Sequence, residues 1–151
     1  MHAAMILIHS LLRWVVLLAG LLAVARGVAG WRGRPWSPTD ASVTRAFIIS
    51  LDVQFLIGVV LYVSLLMAAG STITSMGDVM RNPVQRFFLV EHPVGMIAAL
   101  ALAHIGNARL RKRPDQQRHR TAAVFFGIAL VLLILSIPWP GMPAGRPLWP
   151  W

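Results

Sequence analysis

Seven side chains capable of chemistry lie inside stretches otherwise built for hydrocarbon: His9 and Arg13, then Asp52 and Gln54, then Glu91, His92 and His104. Ionisable groups at such depth are costly, about 2.5–3.5 kcal/mol for Arg or Asp on insertion scales, so they turn toward a bundle interior and find partners there. Imidazole is the commonest metal ligand, and a pair of imidazoles can hold a haem iron from both sides. An arginine beside them can neutralise a carboxylate, whether from the protein or from a bound group. Arg13 is expected to pair with Glu91 or Asp52, and the plainer role of those three charges is a buried ion pair that fixes helix register.

His9 and Arg13 are four residues apart and share one helix face. The same face continues through Val16, Gly20, Ala23 and Gly27, small residues that admit a second helix at close range. The polar pair is therefore expected to point inward. His9 and His92 begin two segments that run in the same direction, and each lies six to eight residues in, about 10 Å below the same surface. Two imidazoles at one depth on two helices suit axial haem ligation or a metal site. Met5 stands four before His9 and Met96 four after His92, and a set of two histidines and two thioethers would suit copper. The simpler role of both methionines is packing. His104 follows His92 by twelve residues, about 120° around the helix, so it is not expected to serve a second haem below the first. It can pair instead with Asp52 or with His119. His2 and His119 read as solvated. Pro93 removes an amide donor directly after His92, so the third apolar segment is expected to kink or to begin there.

The elements that must position these groups follow from composition. Of 151 residues, 57% are hydrophobic and 13% charged, and an ordinary globular domain carries about 25% charged. A water-soluble chain of this length needs more polar surface. Four apolar stretches, residues 3–28, 44–69, 84–108 and 121–137, are each long enough to cross about 30 Å of hydrocarbon. The sequence thus predicts an all-α integral membrane protein, a single transmembrane domain forming an up-and-down bundle of four helices. A short surface helix is expected around residues 76–81. The run Pro138-Trp139-Pro140-Gly141-Met142-Pro143 ends the last helix, and Trp139, Trp149 and Trp151 suit a membrane–water boundary. The first stretch is too long, and too interrupted by Arg13, for a cleaved signal, and is expected to be a retained helix.

The chain has no cysteine, which excludes disulfides, thiolate metal sites and iron–sulfur clusters. Its net charge of +9 is gathered in short blocks between apolar runs, which orients helices in a bilayer and does not point to nucleic acid. Arg26, Arg32, Arg34 and Arg45 flank the first connection; Arg109, Arg111, Lys112, Arg113, Arg118 and Arg120 fill the third. The other side has only Arg81, Arg86 and Arg146. By the positive-inside rule the first and third connections face the cytoplasm, and both termini face outward, into the periplasm if the membrane is a bacterial inner membrane. No phosphate-binding loop or nucleophilic motif occurs, so a stand-alone enzyme is not indicated.

Four blocks carry a resemblance: His9-Ser10-Leu11-Leu12-Arg13-Trp14; Leu51-Asp52-Val53-Gln54-Phe55-Leu56-Ile57-Gly58; Arg86-Phe87-Phe88-Leu89-Val90-Glu91-His92-Pro93, continuing to His104-Ile105-Gly106; and Ile137-Pro138-Trp139-Pro140 with Arg146-Pro147-Leu148. Together they resemble small bacterial four-helix membrane proteins labelled "cytochrome b-like". The resemblance spans nearly the whole chain and implies that His9 and His92 are the marked histidines. The chain departs from respiratory cytochrome b in lacking two histidine pairs on two facing helices. The resulting expectation is an electron-transfer subunit with one b-type haem held by His9 and His92. Arg13, or Arg81 and Arg86, would neutralise its propionates, quinone would be its redox partner, and other membrane subunits would be its neighbours. A copper-binding protein using Met5, His9, His92 and Met96 and a cofactor-free accessory subunit are the alternatives.

Overall fold

The structure is a computed structural model and describes residues 2–70 and 75–148. Helix α1 spans His2–Gly30, α2 Pro38–Ala69, the short α3 Met76–Arg81, α4 Pro83–Arg111 and α5 Asp115–Leu135. Four of these (α1, α2, α4 and α5) are long and apolar enough to cross a membrane. The chain is a multi-pass membrane protein, and its bundle is the expected all-helical one. Large apolar side chains such as Leu18, Leu22, Leu56, Ile97, Val131 and Leu135 stand more than half exposed. In water such a surface would be an aggregation site, and in a bilayer it faces lipid.

Helices α2 and α4 begin before their apolar stretches because side chains cap them in the connections. Ser37 opens α2: its hydroxyl accepts from the Asp40 amide, and the Asp40 carboxylate accepts from the Ser37 amide and hydroxyl. That reciprocal box starts the helix at Pro38, six residues before the hydrophobic run. Asn82 caps α4 in the same spirit, its side chain accepting from the Val84 and Gln85 amides. The short helix over residues 76–81 appears as expected. At the far end α5 stops at Leu135, two residues early, and the proline-rich tail folds back over the bundle.

With no hydrophobic driving force between helices in lipid, close packing holds the bundle. The face Val16, Gly20, Ala23 and Gly27 is buried as the spacing predicted, and Gly30 extends it. Gly20 meets the Phe47 ring, and Gly27 meets the Ala123 backbone. Phe47 and Phe126 pack edge to face at 5.4 Å in the centre, both fully buried. Helix α5 packs closely against both α1 and α4, and α2 packs against α1, while α2 and α4 touch only sparsely. The bundle is therefore closed on three sides and splayed on the fourth, between α2 and α4.

Candidate functional site

The splayed side opens into a cavity of about 510 Å³ in the half of the bundle away from the first and third connections. His9 and His92 face each other there, their ring centres 6.4 Å apart and their planes at 70°. The matched depths therefore do place the two histidines in one space, across the bundle from each other. Arg13, Gln54, Phe88, Met96 and Arg146 line the same cavity, and His2 stands exposed at its rim.

Local backbone chemistry aims His92 inward. Residues Phe87–Glu91 form a π-helical turn, closed by the His92 amide donating to the Phe87 carbonyl. One extra residue in a turn offsets the preceding face by about 100° from the following one. Glu91 thus faces outward, paired with Arg86 at 2.7 Å, while the adjacent His92 turns into the bundle. Pro93 neither starts the helix nor ends it. It has no amide to give the Leu89 carbonyl, and the Tyr62 hydroxyl of α2 donates to that carbonyl at 3.1 Å. A proline in a membrane helix is tolerated when a neighbour satisfies the freed group, and here the chain's single tyrosine does so.

The tautomers follow from the partners. His92 Nδ1 lies 2.7 Å from the Ser136 carbonyl oxygen, which can only accept, so Nδ1 carries the proton and Nε2 keeps its lone pair. Gly95 permits this approach, for a Cβ there would collide with the Ser136 side chain. On the other side Gln54 Nε2 donates to the His9 backbone carbonyl at 3.0 Å and reaches the His9 Nε2 at 3.3 Å. That makes His9 Nε2 an acceptor as well. His9 Nδ1 and Gln54 Oε1 are buried without partners among the described residues. Both imidazoles therefore keep an Nε2 lone pair, the form in which histidine ligates a metal, and that of His9 is turned to Gln54. Gly58 lies beneath the His9 ring, where a Cβ would stand 3.3 Å from its Cε1.

Several expected partnerships differ. Arg13 is paired with neither Glu91 nor Asp52. Its Nη2 donates to the Leu148 carbonyl at 2.9 Å, its guanidinium lies over Trp14, and its Nε is buried without a partner among the described residues. The tail, folded back across the outer end, reaches Arg13 where a carboxylate on α2 or α4 does not. Arg86 is held by Glu91, and Arg81 lies near Asp78, so neither enters the cavity. Arg146 does: it lies in the lining and stacks over Phe88 at 5.0 Å, a role that the short tail gave little reason to suspect. Met96 lines the cavity with the two histidines, and Met5 is not among its lining residues. Among the described residues no three of His, Asp and Glu gather as a metal cluster.

Asp52 and His104 bind each other, Oδ1 to Nε2 at 2.7 Å, bridging α2 and α4 with both side chains over 40% exposed. His119 is not solvated but fully buried. Helix α5 starts at Asp115, six residues earlier than the apolar run, which carries His119 under the first connection. There it packs against Trp36 at 4.9 Å and over Gly30, with Asp40 3.9 Å away. Asp40 is itself the centre of a network missed in the sequence, bound by Arg26 at 2.6 Å and Arg34 at 2.8 Å. The capping pattern Ser37-x-x-Asp40 was the readable signal for it.

Geometry and solvent together define a class: a four-helix membrane protein with a paired-histidine cavity in one half of its bundle. No protein family, curated protein or solved structure matches the chain.

Proposed function

We propose that the cavity holds one b-type haem between His9 and His92, and that the protein is a small electron-transfer subunit of a bacterial inner membrane, exchanging electrons with quinone. The observation that carries this reading is the pair of inward-facing histidines with ring centres 6.4 Å apart, one of them, His92, held with its proton on Nδ1 by the Ser136 carbonyl. Two imidazoles holding one metal from opposite sides at about 2 Å per bond would have their ring centres roughly 6–6.5 Å apart. The cavity is of the 300–1,000 Å³ order that cofactor sites occupy.

Each residue then has a task. His92 is oriented by the Ser136 carbonyl, as ligating histidines are by a second partner. His9 is the facing ligand, and Gln54, which touches its Nε2, must turn aside and can then hold the group's edge. Arg13 and Arg146 supply positive charge for two propionates. The bound group would supply a one-electron couple in a low-dielectric site. By the distribution of basic residues this half of the bundle is the periplasmic one.

The test is an optical spectrum of the protein extracted in mild detergent. A Soret band with low-spin bands on reduction is expected, lost in His9→Ala and in His92→Ala while the helices remain inserted. Absence of any Soret band in protein expressed with ample haem ends the proposal.

A second reading draws on Asp52 and His104. Half-exposed polar groups deep in a bilayer are expensive, and a neighbouring subunit covering that face would relieve the cost. On this reading the chain is a cofactor-free accessory subunit, and the double His9→Ala, His92→Ala variant assembles with its membrane partner as wild type does.

A further inference from the structure

The basic half of the bundle holds a second opening, remote from the histidines. Between the end of α4 and the start of α5, Arg109, Lys112, Arg113, Pro114 and Gln117 line an open cleft of about 710 Å³. It sits where α4 ends and α5 begins, two helices long and apolar enough to cross a membrane.

The charges in it are not neutralised from within. Residues 109–120 contain six Arg or Lys and one acid, Asp115. That one carboxylate is taken by Arg118 at 2.9 Å, and Arg118 is outside the cleft. Arg120 is turned away over Trp31. Arg109, Lys112 and Arg113 therefore border one cleft, and none has a carboxylate partner among the described residues. Two of them are also held in place. Arg109 lies over the Phe125 ring at 5.1 Å, and Arg113 donates from Nη1 to the Gln117 side chain at 3.1 Å. Guanidinium groups so fixed lose little entropy on meeting a phosphate and offer paired donors to its oxygens.

We propose that this cleft binds the phosphate ester of an anionic membrane lipid, with Arg109 and Arg113 as the fixed donors and Lys112 as the mobile third. Basic pockets at the end of a helix pair favour such headgroups, and each cation contributes about fivefold in affinity beside an anionic surface. Loss of three predicts roughly a hundredfold weakening.

The test uses the full chain in phosphatidylcholine nanodiscs, titrated with fluorescent phosphatidylglycerol and read by energy transfer from the protein's tryptophans. Wild type should bind saturably, and the triple variant R109Q/K112Q/R113Q should bind about a hundredfold more weakly with an unchanged melting temperature. A charge-matched control, R32Q/R45Q/R111Q, should keep wild-type affinity within a few-fold. Equal loss in both triples would show that any basic surface suffices and would overturn the site. Fluorescent phosphatidylcholine should give no saturable signal, and saturation by it would likewise overturn the proposal. Inorganic phosphate should not compete at concentrations that leave the salt effect constant. Competition by phosphate at affinity equal to the lipid's would identify a free-anion site and refute the lipid assignment.

Discussion

Replacing Asp40 with alanine tests the reasoning about the buried network most directly. The carboxylate is 1% exposed and accepts four hydrogen bonds: Arg26 Nε at 2.6 Å, Arg34 Nη2 at 2.8 Å, and the Ser37 amide and hydroxyl at 2.9 and 2.7 Å. Hydrogen bonds to charged groups are worth about 1.5–3 kcal/mol each. The arginine side chains are 33% and 38% exposed, however, so solvent screens them and about 1 kcal/mol apiece is the fitting figure. Losing the reciprocal cap at Ser37 costs about 1 kcal/mol more. The sum for Asp40→Ala is about 3 kcal/mol. Asp40→Asn keeps an acceptor while losing the charge, and should cost about half of that. Ser37→Ala should cost about 1 kcal/mol alone. Reversible unfolding of the purified protein in mixed detergent, followed by helical circular dichroism, measures all three. The reasoning fails if Asp40→Ala costs no more than Ser37→Ala, for then the two arginines contribute nothing and the carboxylate is only a cap.

Gly95→Ala should destabilise by about 1–3 kcal/mol, because its new Cβ meets the Ser136 side chain. Adding Ser136→Ala should recover about 1 kcal/mol of this, and non-additivity in that double-mutant cycle is the readout. Ser136→Ala alone should leave His92 in place, since the imidazole donates to the backbone carbonyl and not to the hydroxyl. Tyr62→Phe strips the Leu89 carbonyl of its donor under Pro93 and should cost about 0.5–1.5 kcal/mol in the same unfolding assay. Reporter fusions after Arg34 and after Arg113 should both behave as cytoplasmic, and a periplasmic signal from either would reverse the assigned orientation.

The spans were legible because hydrocarbon demands an unbroken apolar run, and the inward face of α1 was legible because small residues recur there at helical spacing. The facing of His9 and His92 was legible from their equal depth together with the small-residue face that His9 shares on α1 and the proline beside His92. What escaped the sequence were contacts made by groups with no pattern of their own. Backbone carbonyls are invisible to composition, yet Ser136 and Leu148 supply them to His92 and Arg13. Charge matching on the page suggested carboxylates for Arg13, but Glu91 was turned outward by a π-helical turn that no residue pattern announced. His119 reads as solvated from the apolar runs alone, but α5 begins at Asp115, six residues before its run, and Asp40 lies in the capping box that starts α2 ahead of its own run.

The bond from Arg13 to Leu148 joins residues 135 positions apart, and it has a consequence in time. At a synthesis rate of about 5–20 residues per second, Arg13 leaves the ribosome roughly 7–27 s before the carbonyl that receives it exists. The first helix must therefore enter the membrane with its arginine served by something temporary, such as water, a lipid phosphate or the insertion machinery. Only when Leu148 has emerged and its segment swings back can the guanidinium change hands. The segment that carries Leu148 thus acts late in assembly, and a nascent chain stalled before it holds four inserted helices around an arginine still waiting for this acceptor.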